Sequence, residues 1–283
     1  MEKVLHFFKS TMDVPPAWGA FHLVAIALVV VITFLLCLFF RNANNNVFRL
    51  VLIIIWAVMF TMEAIKQVEE AAHFTDEGTL YWAYNWSTFP LQLCDSPLWF
   101  LLPTACLKEG KLRNMIIAYM STYVLLGGLA TYSFPQTTFG TSAYVNVQTM
   151  THHGLQIASC VLIAVHNRDK IDVEFKDSLR FFLKGTPVFV CFVIAATIFN
   201  VAAHAAVPGM EINMCYISPY FRKTVPITAV NDAFQRMHWL AVIFFYIGAL
   251  TVLVFIIYMI YFGIFRLIDF IRAKKGKEQA QDA

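Results

Sequence analysis

Residues 21–40 read FHLVAIALVVVITFLLCLFF, twenty positions without one charged side chain. A helix rises about 1.5 Å per residue, so about 20 apolar residues cross the hydrocarbon layer of a membrane. Residues 238–265, HWLAVIFFYIGALTVLVFIIYMIYFGIF, repeat the signal at the other end of the chain. Between them lie runs at 47–68, 89–107, 112–133, 147–166 and 184–206. The third and fifth runs are the weakest, because they carry polar residues. All are continuous instead of alternating, which argues against a membrane β-barrel. The expected fold is therefore all-α: one membrane domain over residues 1–283, a polytopic helical bundle of seven transmembrane helices.

Composition supports the same class. Of 283 residues, 59% are hydrophobic and 14% charged, Phe occurs 27 times, and the mean hydropathy is +0.64. Soluble domains carry about 25% charged residues and must keep a wetted exterior. A soluble enzyme, a disordered chain and a nucleic-acid-binding domain are excluded. Membrane lipids are the expected partners, and nothing indicates a protein partner. The first run has no small-residue cleavage site after it, so it is expected to remain as a span and not to be removed as a signal peptide.

Lys and Arg set the expected orientation. With seven spans, one side receives Arg41 and Arg49, then Lys108, Lys111 and Arg113, then the 168–184 cluster, then the basic tail from Arg266. That side holds fifteen of the 21 cations. The other side holds six, Arg222, Lys223 and Arg236 among them. The positive-inside rule places the N-terminus outside and the C-terminus in the cytoplasm of a multi-pass protein. Cys37, Cys106, Cys160 and Cys191 then fall toward the cytoplasmic half and are expected to be reduced and buried; Cys94 and Cys215 fall toward the outside. The connection 207–237 is expected to be a plain loop, with a lid as the alternative.

Polar side chains inside a bilayer are costly and usually face the bundle. Here they gather at one depth. The second run carries Glu63, Lys66, Gln67 and Glu70 on one helical face near its outer end. The third opens with Gln92, Cys94 and Asp95. The fifth carries Gln148, His152, His153 and Gln156. The sixth ends with Asn200 and His204, and the seventh opens near His238. Five runs bringing polar groups to the outer half of the membrane predict one outward-facing polar pocket. Against this stands the bland reading: headgroup contacts for the outermost side chains, interhelical hydrogen bonds for the rest.

The pieces fit several chemistries. In a regular helix Cys94 lies about 200° around from Gln92. Pro97 removes a backbone bond and predicts a kink near Cys94 that brings Cys94 and Asp95 to one cavity. An imidazole from His152 or His153 can activate a thiol, and Asp95 or Glu63 can orient it, an arrangement used for acyl transfer through a thioester. Gln92, Gln156, Asn200, Glu63, His204 and His238 are candidates for holding substrate. A metal reading of the four histidines lacks any HExxH or CxxC spacing, so neither a metal nor another cofactor is expected. A small-molecule or lipid transporter is an alternative class, and a non-catalytic membrane receptor or assembly factor is another.

The overall plan, with FPLQLCDSPLWF at 89–100 and TMTHHGL at 149–155, resembles the YwaF integral-membrane family of bacteria over about residues 21–265. That family is similar to a eukaryotic transmembrane family that includes an acyltransferase making polyunsaturated ether phospholipids with a cysteine nucleophile. The resemblance implies phospholipid or lysophospholipid acyl transfer in a bacterial cell membrane. It implies Cys94 as nucleophile and His153 or His152 as base. Members often have His two residues before the cysteine, as in PLHLC, where this chain has Gln92. Gln cannot act as a base, which leaves two readings: binding without catalysis, or proton transfer by the fifth-run histidines.

Overall fold

The apolar run at 21–40 forms α2 (Ala20–Phe40), whose surface is almost entirely exposed on the protein, with only His22 and Ala25 buried. The structure is a computed structural model that describes residues 2–221 and 228–281. Arg222 and Lys223, two cations of the charge count, lie outside the described residues. A short α1 (Glu2–Phe8) precedes α2, and α3 (Asn45–Ala71) follows it. α3 starts where the Asn44 side chain accepts the Asn46 and Val47 amides, a normal N-cap. A small antiparallel hairpin, β1 (Ala72–Phe74) and β2 (Leu80–Trp82), caps its end.

The 89–107 run is not one kinked helix. Its helix, α4, covers only Ser96–Cys106. Pro97 falls in the first turn, where a missing amide costs nothing, so it begins the helix instead of bending it. The residues before it run through 3₁₀ turns at Trp86–Thr88 and Leu93–Asp95. This segment still lies antiparallel along α3. Arg49 Nη2 donates to the Leu107 carbonyl (3.0 Å), Trp56 Nε1 to Leu98 (2.9 Å) and Gln67 Nε2 to Thr88 (2.8 Å). Those rungs span eighteen α3 positions, about 27 Å of helix.

The next rod comprises α5 (Lys111–Tyr119), a wide π turn at Met120–Val124 and α6 (Leu125–Ser133). α7 (Ala143–His166) starts on a Ser142 cap and leads through α8 (Arg168–Ile171) to the long α9 (Phe175–Ala206). α10 (Thr228–Arg236) and α11 (Trp239–Gln281) complete the chain. Among the described residues, five helical rods are long and apolar enough to cross a membrane: Ala20–Phe40, Asn45–Ala71, Lys111–Ser133, Phe175–Ala206 and Trp239–Lys274. The α5–α6 rod is the most enclosed, with Gly185 of α9 lying against the backbone of Ala118 and Tyr119.

Two expectations are corrected. Cys106 and Cys191 are exposed on the protein surface and Cys37 is half-buried, because an apolar residue of a spanning helix can face outward as well as inward; Cys160 is buried as expected, and all six thiols are free. The connection after α9 is not a plain loop, since it contains α10 and a buried stretch. Ile212, Met214, Cys215, Ile217 and Ser218 are buried, inserted between α9 and the segment before α4.

Candidate functional site

The irregular backbone before α4 is the floor of the site. Non-helical chain packed among helices needs protein or water to satisfy its buried polar groups. Here the carbonyls are met one by one. Pro90 O accepts from Trp99 Nε1 (2.8 Å), Leu91 O from the Cys215 thiol (3.6 Å), and Gln92 O from the Asp95 amide (2.9 Å). Leu93 O accepts from the Ser96 hydroxyl, and Cys94 O lies 3.3 Å from His152 Nε2. The Asp95 carboxylate turns back to accept the Gln92 amide at 2.8 Å.

α6 lets this segment approach α7. A Cβ on Gly127 would lie 3.2 Å from both Cα and N of Cys94 and 3.0 Å from Gln156 Nε2. One on Gly128 would lie 3.2 Å from the His153 carbonyl. Small residues permit such close helix contact in membranes. The π turn adds the Val124 carbonyl, which accepts from Gln156 Nε2 at 2.6 Å.

The histidines follow from these contacts. A carbonyl only accepts, so His152 carries its proton on Nε2, toward Cys94 O. His153 carries its proton on Nδ1, which donates to the Thr149 carbonyl at 2.6 Å. That leaves His152 Nδ1 and His153 Nε2 as bare lone pairs, both buried and without a partner among the described residues, as is Gln156 Oε1. The two rings stand 5.3 Å apart. One turn of α7 therefore carries three unsatisfied acceptors among the described residues, and one of the three side chains, His152, touches Cys94 at its carbonyl. Among the described residues no imidazole nitrogen bonds the Cys94 sulfur; the histidine contact is to its carbonyl.

A second polar set adjoins the first. The Glu63 carboxylate, only 4% exposed, accepts from Gln67 Nε2 (2.6 Å), Gln148 Nε2 (2.9 Å) and Lys66 Nζ (3.3 Å). Tyr84 donates to Gln67 Oε1 at 2.5 Å. The Lys66 ammonium is close enough to act electrostatically on Asp95 and Cys94 as well as Glu63. Cys94, Asp95, Glu63, His152, His153 and Gln156 thus share one region.

The remaining candidates lie apart or are occupied. Gln92 holds the inserted connection with both amide atoms: Oε1 accepts the Cys215 amide (2.7 Å) and Nε2 donates to Asn213 O (3.1 Å). Asn200 does the same for Met214 through its amide (2.7 Å) and carbonyl (3.0 Å). His204 stacks on Tyr220, centroids 3.7 Å apart, and His238 is exposed at the start of α11. Gly127, Gly128, Tyr84 and the π turn were not singled out from the sequence. The adjacent glycines inside an apolar run were the available signal for the first two. Among the described residues no three His, Cys, Asp or Glu side chains are grouped to hold a metal ion.

The profile of the TMEM164 family matches residues 17–262. The chain belongs to the TMEM164 family. The match takes in α2 through most of α11, and with it every residue of the site. No curated protein and no solved structure matches this TMEM164-family chain.

Proposed function

We propose that this membrane protein transfers acyl groups between phospholipids, with Cys94 as the nucleophile. The buried bare acceptors on the turn of α7 whose His152 touches Cys94 carry the reading. Unsatisfied acceptors in a low-dielectric site are costly, and hydrogen-bond donors relieve them. The thiol of Cys94 and the hydroxyl of a lysophospholipid are such donors, and each must lose its proton for the reaction to proceed.

In the proposed cycle, an imidazole lone pair takes the Cys94 proton as sulfur attacks the ester carbonyl of a donor phospholipid. The C–O bond breaks, the departing lysophospholipid oxygen receives that proton, and a thioester remains on Cys94. The acceptor hydroxyl then gives its proton to the imidazole and attacks the thioester. The thiolate leaves and recovers the proton. Fixed tautomers at His152 and His153 keep a basic nitrogen available for both halves. The partly exposed Lys66 ammonium, held by the buried Glu63 carboxylate, is suited to a lipid phosphate. An apolar groove of about 400 Å³ between α2 and α7, lined by Val24, Leu28, Met150 and Tyr132, is suited to an acyl chain.

The same proposal includes the finer architecture. The α3-long segment 88–107 and the 24-residue α7 bring the crossings to seven, with the N-terminus outside, in a YwaF-like bacterial cell-membrane protein. The test is a reconstituted assay with an isotope-labelled donor phospholipid and an unlabelled lysophospholipid, read by mass spectrometry. Cys94→Ala should abolish label transfer, and His153→Ala or His152→Ala should lower it about 10²–10⁴-fold. Full transfer by Cys94→Ala would refute the nucleophile.

A further inference from the structure

At the end of the bundle opposite the site, the C-terminal ends of α2 and α7 meet α11 around a second pocket of about 510 Å³. Its wall is hydrocarbon, with Phe34, Leu38, Ile264 and Ile268 among the lining residues. Its rim is basic, with Arg41, Arg168 and Arg272.

The three guanidinium groups are not equivalent. Arg168 is committed to the fold: Nη2 reaches Asp172 Oδ2 (2.7 Å), Asp269 Oδ1 (2.6 Å) and the Phe265 carbonyl (2.9 Å). Arg266 Nε adds to the same lock, 3.3 Å from Asp172 Oδ1. Arg41 and Arg272 form no ion pair among the described residues, and both are exposed. One carboxylate lines the pocket, Asp169, so the rim keeps a cationic excess once Arg168 is paired internally.

Two exposed guanidinium groups without a close ion pair, Arg272 feeling Asp269 only at longer range, stand above a hydrocarbon wall and match one kind of molecule. A phosphodiester accepts the paired N–H groups of arginine, and acyl chains fill the apolar part. Basic pockets between membrane helices recognise anionic headgroups in this way. We infer that this pocket binds an anionic phospholipid of the adjoining leaflet, its phosphate between Arg41 and Arg272 and an acyl chain along Phe34, Leu38 and Ile264. The site is separate from Cys94 and independent of any acyl transfer there. Its lining of hydrocarbon selects a whole lipid over free phosphate.

The experiment uses the full chain in nanodiscs of phosphatidylcholine, alone or mixed with phosphatidylglycerol. Native mass spectrometry reads the lipid retained, and the thermal midpoint reads stabilisation. The wild type should retain phosphatidylglycerol over phosphatidylcholine and melt higher in the mixed discs. Arg41→Gln with Arg272→Gln should lower that preference about thirtyfold while leaving the midpoint in pure phosphatidylcholine unchanged. Each single change should lower it part-way. Leu38→Trp fills the wall but keeps the charges, and should also remove the preference. Lys176→Gln, an exposed cation at the same end of the molecule, should change nothing. Inorganic phosphate should not raise the midpoint. The inference is overturned if the double variant or Leu38→Trp keeps the wild-type preference. It is equally overturned if Lys176→Gln loses it, or if phosphate alone stabilises as well as the lipid.

Discussion

At the residue scale, two glycines differ in what a methyl group would meet. A Cβ on Gly127 would press on the backbone of Cys94 and the amide of Gln156 at 3.0–3.2 Å. Gly248, in α11, has nothing within 4 Å. Gly127→Ala should cost about 1–3 kcal/mol in stability and reduce acyl transfer, because it displaces the Cys94 segment from α7. Gly248→Ala should be neutral or mildly stabilising, since alanine is the better helix former. Thermal melts of the two variants in one detergent check both. The thiols divide similarly. Burial pushes the Cys215 thiol, in the connection between α9 and α11, up to about 12. It therefore stays protonated at pH 8 and should resist maleimide in the folded protein, then react fully after denaturation, as read by peptide mass spectrometry. Labelling of Cys215 in the native state would show that the connection does not sit where it is placed.

At the scale of elements, the inserted connection depends on tertiary anchors. Cys215 and Tyr216 both have positive φ, 56° and 59°, a conformation that costs a non-glycine residue about 1–2 kcal/mol. The double grips of Gln92 and Asn200 hold it there. Gln92→Ala should leave the Cys215 amide and Asn213 carbonyl without Gln92, speed hydrogen exchange across 210–218, and leave exchange in α3 and α9 unchanged. Unaltered exchange in that stretch would mean Gln92 is not its anchor. None of this was legible beforehand. Hydrophobic periodicity reports what one element buries, not which distant carbonyl its polar residue meets. The same limit explains Pro97. A proline inside an apolar run reads equally as a kink or as a first turn. The choice was made by the Asp95 carboxylate folding back on the Gln92 amide, which starts a new helix.

For the molecule as a whole, the long apolar runs were legible because crossing a bilayer imposes length and composition together. The five clearest rods correspond to runs read directly from the sequence. That Glu63, Asp95 and the α7 histidines lie in one region of the protein was also readable, since polar groups in hydrocarbon need each other. Which neighbour a polar side chain meets was not readable in the same way: His204 stacks on Tyr220, and His238 is exposed. The seven-crossing arrangement predicts opposite sides for the two termini. Impermeant protease on sealed vesicles should reach a tag on one terminus only; access to both, or to neither, would require an even number of crossings.

The most direct measurement is capture of the acyl-enzyme. Purified protein incubated with a donor phospholipid and no acceptor should show, by peptide mass spectrometry, one acyl chain on Cys94. Neutral hydroxylamine should remove it, and added lysophospholipid should take it up. A chain attached elsewhere, or transfer proceeding with Cys94 never acylated, would contradict the account.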